Sequence, residues 1–178
     1  MRWQTAFLQR LWVALPLCLP IACLTQEGPL PRSLRIGLPS QWTEAASPFC
    51  LLILFSADDC PICLFEAEYW EEVHRESPGI QVIGLTNGSA DFCDKFIQDT
   101  GIRFPVYRHP ALFRAVLERT LTIHPRGQTP LKLLLDENRS VIYAESGTKD
   151  VERHQSLRRR IQNVATSSTV QPTHPGQW

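Results

Sequence analysis

The chain has 178 residues, 43% hydrophobic and 20% charged, with 18 basic and 18 acidic side chains and a formal net charge of zero. That balance fits one globular domain with a substantial core plus terminal extensions, and excludes a disordered or fibrous chain. With no excess of positive charge and no basic stripe, it also lacks the electrostatic footprint of a nucleic-acid-binding protein.

The N-terminus has the pattern of a targeting segment. Arg2 and Arg10 are the only charges before Glu27, and the 14 residues Leu11–Leu24 are apolar with prolines at Pro16 and Pro20. A membrane span needs about 20 such residues, so the run suits the core of a signal peptide better. Residues 1–24 therefore read as a signal peptide or an N-terminal membrane anchor. Leu19-Pro20-Ile21-Ala22-Cys23 is also close to a lipoprotein cleavage box with Cys23 as the lipidated residue, although Pro20 stands where leucine is usual. Each version predicts an exported, periplasmic or extracytoplasmic protein, either free, membrane-anchored or a lipoprotein. Loss of residues 1–23 would remove Arg2 and Arg10 from 18 basic side chains and nothing from the 18 acidic ones, giving a net charge of −2.

Residues 25–47, with Pro29, Pro31 and Pro39, read as a linker and irregular approach to a domain spanning 48–164. Phe49–Phe55 is apolar at every position, as expected of a central strand covered on both faces. A helix is expected over 61–76, where Leu64, Phe65, Tyr69 and Val73 recur at helical spacing among several glutamates, and Ser77-Pro78-Gly79 ends it. Next come a strand at 80–85, a helix at 89–100, a short strand at 104–107 and a helix at 111–120. A hairpin follows, with strands at 131–135 and 141–144 around Asp136-Glu137-Asn138-Arg139-Ser140. The last predicted helix covers 150–164, and the Ser-, Thr-, Pro- and Gln-rich tail 165–178 reads as disordered. Alternation of strands and helices followed by a hairpin predicts an α/β domain with a mixed central sheet flanked by helices.

Between the first strand and the first helix lies Cys60-Pro61-Ile62-Cys63. A cysteine at a helix start meets unpaired backbone N–H groups and the positive end of the helix dipole, which favour the nucleophilic thiolate. Cys60 is thus the expected attacking sulfur. Cys63, three residues on and on the same helical face, is placed to resolve a mixed disulfide. Pro61 fits the first helical position, where its missing N–H would have had no partner. Of the six cysteines, Cys18 and Cys23 belong to the targeting segment. Cys50 and Cys93 read as small buried hydrophobes, with a second disulfide as the alternative that an exported protein allows.

These features resemble the thioredoxin superfamily and, within it, the exported TlpA-like thiol-disulfide oxidoreductases, over roughly residues 35–164. The resemblance rests on Cys60-Pro61-Ile62-Cys63 after the first strand, Glu66 three residues past the second cysteine, and Thr129-Pro130 just before the hairpin. It implies a thioredoxin-like fold and a substrate-binding set of Pro61, Ile62, Thr129 and Pro130, with Pro130 in the cis form and facing the dithiol. It also implies that Glu66 handles protons for Cys63; composition alone makes Glu66 one exposed glutamate among several. The implied partners are a client protein with a disulfide or dithiol, such as an apocytochrome c, and a thiol-disulfide electron donor, soluble or membrane-bound. No cofactor is implied.

Departures from the pattern are visible. Asp59 stands where tryptophan is usual, and Asp58 precedes it, so two carboxylates oppose thiolate formation at Cys60. Leu54 occupies the place of the buried aspartate of cytosolic thioredoxins. A peroxidase of the same fold would need Thr or Ser three residues before the cysteine, where this chain has Ala57. Two thiolates could bind Cu(I), and a catalytically inactive adaptor could keep the fold. No metal site is expected, because His74, His109, His124 and His154 are scattered and read as surface or capping residues.

Overall fold

The computed structural model describes residues 34–39, 42, 47–58, 60–121, 129–147 and 151–168. The expected signal peptide or anchor at 1–24, the lipoprotein box at Cys23, most of the linker, Asp59, His124 and the tail beyond 168 lie outside the described residues. The order is β1 (Phe49–Phe55), α1 (Pro61–Glu76), β2 (Ile80–Thr86), α2 (Ala90–Thr100), β3 (Val106–Arg108), α3 (Pro110–Leu121), β4 (Leu131–Leu135), β5 (Val141–Ser146) and α4 (Val151–Ser168).

The five strands form one sheet in the order β3-β2-β1-β4-β5. β1, β2 and β3 run parallel, whereas β4 is antiparallel to both β1 and β5. The expected α/β mixed sheet flanked by helices is what the chain builds. β1 is central, and alternation divides its side chains between two layers. Leu51, Ile53 and Phe55 pack with Cys63, Ala67 and Trp70 of α1, Phe96 of α2, and Leu157 and Ile161 of α4. Cys50, Leu52 and Leu54 face the other way, toward Phe113 and Val116 of α3 and the approach residues Leu34, Ile36 and Trp42. Residues 50–55 are all fully buried, which is why the segment carries no polar side chain.

Several ends differ from expectation. β3 lies at 106–108 rather than 104–107, since Phe104 and Pro105 form the approach to the sheet; Phe104 is buried, and the Pro105 carbonyl accepts from Gly84 N. β5 continues through Glu145 and Ser146, whose register partners are Lys132 and Leu131. α4 runs four residues past Val164 to Ser168, because no Gly or Pro interrupts it there and the Thr166 hydroxyl donates to the carbonyl oxygens of Gln162 and Asn163. The tail assignment is corrected at those residues. Ser89 is the N-cap of α2, its Oγ accepting from Phe92 N at 3.3 Å, and Gly101 ends the helix in the left-handed region at φ 68°. No helix among the described residues is long and apolar enough to cross a membrane.

Cys50 and Cys93 are both free and buried, so neither closes a second disulfide. Burial in β1 pushes the Cys50 thiol from its ordinary value of 9.0 up to about 12, slightly offset by Arg139. Burial, and then Asp94, also raises Cys93.

Two predictions follow from this core. Gly84 of β2 lies so close to its neighbours that an added Cβ would sit 3.0 Å from Val106 Cγ2 and 3.1 Å from Phe55 Cε1. Gly84→Ala should therefore cost about 1–3 kcal/mol by overpacking, read as a lowered midpoint in urea unfolding at unchanged slope. Between pH 9 and about 12 the folded chain retains the Cys50 proton that the unfolded chain releases. Stability should thus fall as pH rises through that window, and Cys50→Val should remove part of the fall in unfolding midpoints measured from pH 8 to 11.

Candidate active site

β1 delivers the chain to the dithiol, and α1 begins there. Cys60 is the N-cap of α1 and Pro61 its first residue. The Cys60 carbonyl accepts from Cys63 N at 2.9 Å, and Cys60 Sγ accepts from the same N–H at 3.2 Å. The sulfur therefore lies at the positive end of the helix, against one of its first backbone donors, with no acidic residue in the first turn to offset it. The two sulfurs are joined in a disulfide, with Cα atoms 5.2 Å apart. They differ in access: Cys60 is partly exposed, whereas Cys63 is fully buried in the core beneath.

The other expected site residues gather at the same end of the sheet. Thr129-Pro130 is a cis peptide, and Pro130 directly precedes β4. Since Leu54 pairs with Leu131, Pro130 lies beside the end of β1 from which the dithiol loop departs. Pro130 is buried, Thr129 half-buried, Ile62 half-buried and Pro61 exposed. Leu64 and Phe65, in the first turns of α1, are exposed large apolar side chains, as is Phe92 at the start of α2. Asp58 does not turn its bonded oxygen to Cys60: its Oδ1 accepts from Ser89 N at 3.2 Å, at the cap of α2.

Glu66 is buried at 1% exposure, while Glu68 on the same helix is exposed. It lies one turn beyond Cys63, on the same buried face. Its Oε2 accepts from Lys132 Nζ at 2.8 Å and from Trp70 Nε1 at 3.2 Å. Lys132 also contacts Glu145 Oε1 at 2.7 Å, and Tyr143 OH donates to Glu145 Oε2 at 2.9 Å. His154 of α4 brings Nε2 to 3.6 Å from Glu66 Oε1. Its ring stacks on Tyr69 at 4.0 Å between centroids, and Tyr69 OH donates to the His154 carbonyl at 2.9 Å. Burial, and then the Glu145 carboxylate, raises the Tyr69 phenol well above its usual range, which keeps it a donor.

The sheet register explains how these charges meet. Lys132 pairs with Ile53 on one side and Glu145 on the other, so all three project into the layer of α1 and α4. The sequence reading missed Lys132 and Glu145; a lysine inside Leu131-Lys132-Leu133-Leu134-Leu135 was the available signal, since lysine is almost never fully buried unless paired. His154, read as a surface or capping residue, instead lies against a buried carboxylate, a contact created when α4 packs over α1. His109 is a capping residue, its Nδ1 accepting from Leu112 N at 3.2 Å.

Solved structures of similar shape place this arrangement in a known fold. A Chlorobium tepidum protein assigned as thiol:disulfide interchange protein DsbE matches with a TM-score of 0.59 at 16% identity, over 78% of this chain and 98% of its own. The fold is thioredoxin-like. A thiol-disulfide isomerase from Corynebacterium glutamicum matches with a TM-score of 0.53 at 20% identity, over 79% of this chain and 97% of its own. Peroxiredoxin Q of Xanthomonas campestris matches at 0.51 and 15% identity, over 67% and 81% of the two chains. No protein-family model matches the sequence, and no curated protein matches it either. The thioredoxin-like fold is thus common to disulfide-exchanging and peroxide-reducing chains, and the chemistry has to be argued from the residues of this site.

The buried ion cluster yields a stability prediction. Lys132 is held between two buried carboxylates, at 0% exposure. Lys132→Met should remove the ammonium that both acids contact in the core and cost about 3–5 kcal/mol, measured as the loss of unfolding free energy in urea at pH 7.

Proposed function

We propose that this protein is an exported thiol-disulfide oxidoreductase that exchanges disulfides with client proteins through Cys60 and Cys63. The observation that carries the reading is the asymmetry of the pair: Cys60 is partly exposed at a helix N-terminus, whereas Cys63 is fully buried one turn below. A client can reach only the first. In the reductive direction the Cys60 thiolate attacks a client disulfide, one client sulfur leaves as thiolate, and a Cys60–client disulfide forms. Cys63 then loses its proton to Glu66 and attacks Cys60 Sγ. The Cys60–Cys63 bond forms and the second client sulfur leaves, so two electrons pass from the dithiol to the client.

Exported clients whose cysteines must be reduced or rearranged during maturation fit this chemistry, an apocytochrome c among them, and a thiol-disulfide donor would restore the dithiol. The exposed side chains of Leu64 and Phe65 beside Pro61 and Ile62, with Thr129 and Pro130 across the end of β1, supply an apolar rim and backbone groups for an extended client segment. Ala57 argues against peroxide reduction on the same fold, because it brings no hydroxyl to the position three residues before Cys60.

Equilibration of the purified protein in buffers of graded glutathione potential, followed by alkylation and mass measurement, tests the reading. Cys60 and Cys63 should exchange together in one two-electron step. If they stay unexchanged, or pair with Cys50 or Cys93, the reading fails and Cu(I) handling or an adaptor role replaces it. Cys63→Ser should accumulate a Cys60-linked mixed disulfide with clients, separable on a non-reducing gel, and Cys60→Ser should accumulate none. Adducts with Cys60→Ser alone would reverse the two roles.

A further inference from the structure

The proton that Cys63 gives up has to leave a buried site. Cys63 is fully buried, Glu66 is 1% exposed, Lys132 is 0% exposed and Glu145 is 4% exposed. Two carboxylates, Glu66 and Glu145, meet the one ammonium of Lys132 in this part of the core, and Glu66 lies one helical turn from Cys63, within reach of the proton that the sulfur gives up. The cluster can therefore hold the Cys63 proton, but Glu66 can act repeatedly only if that proton then reaches water.

His154 provides the route. Its Nε2 lies 3.6 Å from Glu66 Oε1, is itself buried, and has no hydrogen-bond partner among the described residues. The side chain is 19% exposed, and its exposed part lies away from the buried Nε2. An imidazole can take a proton on one nitrogen and release one from the other. The ring stacks on Tyr69, whose hydroxyl also donates to the His154 backbone carbonyl. Lys132 and Trp70 both donate to Glu66 Oε2, which fixes the carboxylate with Oε1 toward the histidine. A separation of 3.6 Å exceeds hydrogen-bond length and closes by a small side-chain shift.

We propose that His154 is a positioning residue of the resolving step, carrying protons between Glu66 and solvent. The inference rests on the oxidoreductase reading above. With glutathione disulfide as the probe, Cys60 thiolate attacks one glutathione sulfur, forming Cys60–glutathione and releasing a glutathione thiolate. Cys63 passes its proton to Glu66 and displaces the second glutathione from Cys60, forming the Cys60–Cys63 disulfide. Two electrons have moved to glutathione. The proton on Glu66 passes to His154 Nε2, and the opposite ring nitrogen releases one to water. The titratable and charged groups around this path are Glu66 and Tyr69 of α1, Lys132 of β4, Tyr143 and Glu145 of β5, and Arg158 of α4. Arg158 is drawn toward Glu72 and Glu76 and over the Tyr69 ring.

Rapid mixing of the reduced full chain with glutathione disulfide, acid quench and mass measurement separates adduct formation, which is second order, from resolution, which is first order. His154→Gln should leave adduct formation unchanged, slow resolution by roughly 10-fold or more near pH 7, and remove one ionisation from the pH profile of resolution. His154→Ala should be slowed likewise and be restored by added imidazole. Resolution by His154→Gln at the wild-type rate with the wild-type pH profile would overturn the proposal. So would a slowed His154→Ala that keeps its wild-type circular dichroism yet gains nothing from imidazole, because that slowing would be structural. Absence of any Cys60–glutathione adduct in the wild-type chain would fell the oxidoreductase reading and this proposal together. An adduct that forms and resolves independently of His154 would fell the proposal alone.

Discussion

Strand β1 has no solvent face, and the rest of the molecule is arranged around that constraint. Six consecutive residues from Cys50 to Phe55 are fully buried, so each face needs its own cover: α1, α2 and α4 on one side, α3 and the approach residues on the other. Parallel β2 and antiparallel β4 then satisfy its backbone on both edges. Because β1 is pinned on four sides, its C-terminal end is a fixed point from which the loop to Cys60 and the first turn of α1 are held. The backbone donors at the start of α1 are thereby held in a fixed position at the Cys60 sulfur.

The same packing creates an electrostatic problem and its solution. Glu66 follows Cys63 by one turn on the face that α1 presses against the sheet, so the carboxylate is carried into the core with the Cys63 sulfur. Lys132 meets it from β4, and Glu145 meets Lys132 from β5. Each charge is tolerable only because the others are there. The cluster contains one more acid than base, and His154 borders it on the side where α4 reaches solvent.

Access is divided as clearly as charge. Cys60 is open enough to be reached, Cys63 is not, and the exposed Leu64, Phe65 and Phe92 lie on the first turns of the two helices that begin near this end of the sheet. Asp58, whose charge beside Cys60 looked unfavourable, instead bonds the N–H of the α2 cap residue. Its negative charge is therefore spent partly on the positive end of a second helix.

Local chemistry was legible from the chain alone. An apolar run at every position marked β1, helical spacing after Pro61 marked α1, and the two cysteines at that junction marked a pair close enough to bond, because each depends on residues within a few positions of one another. The ends of β3, β5 and α4 were misjudged by two to four residues, as their limits follow from register and from packing beyond the segment itself. Glu66 could be singled out only by resemblance, since nothing local distinguishes it from Glu68 on the same acidic helix. Tertiary structure alone decided its burial and its partners: Lys132 is 66 residues away and was placed opposite Ile53 by strand pairing. His154 was placed by the docking of α4, and Cys50 and Cys93 were left unpaired in separate parts of the core. Sequence determines which groups a segment carries and how they alternate; which distant charge each one meets is a property of the register and the layers, and exists only once the chain has folded.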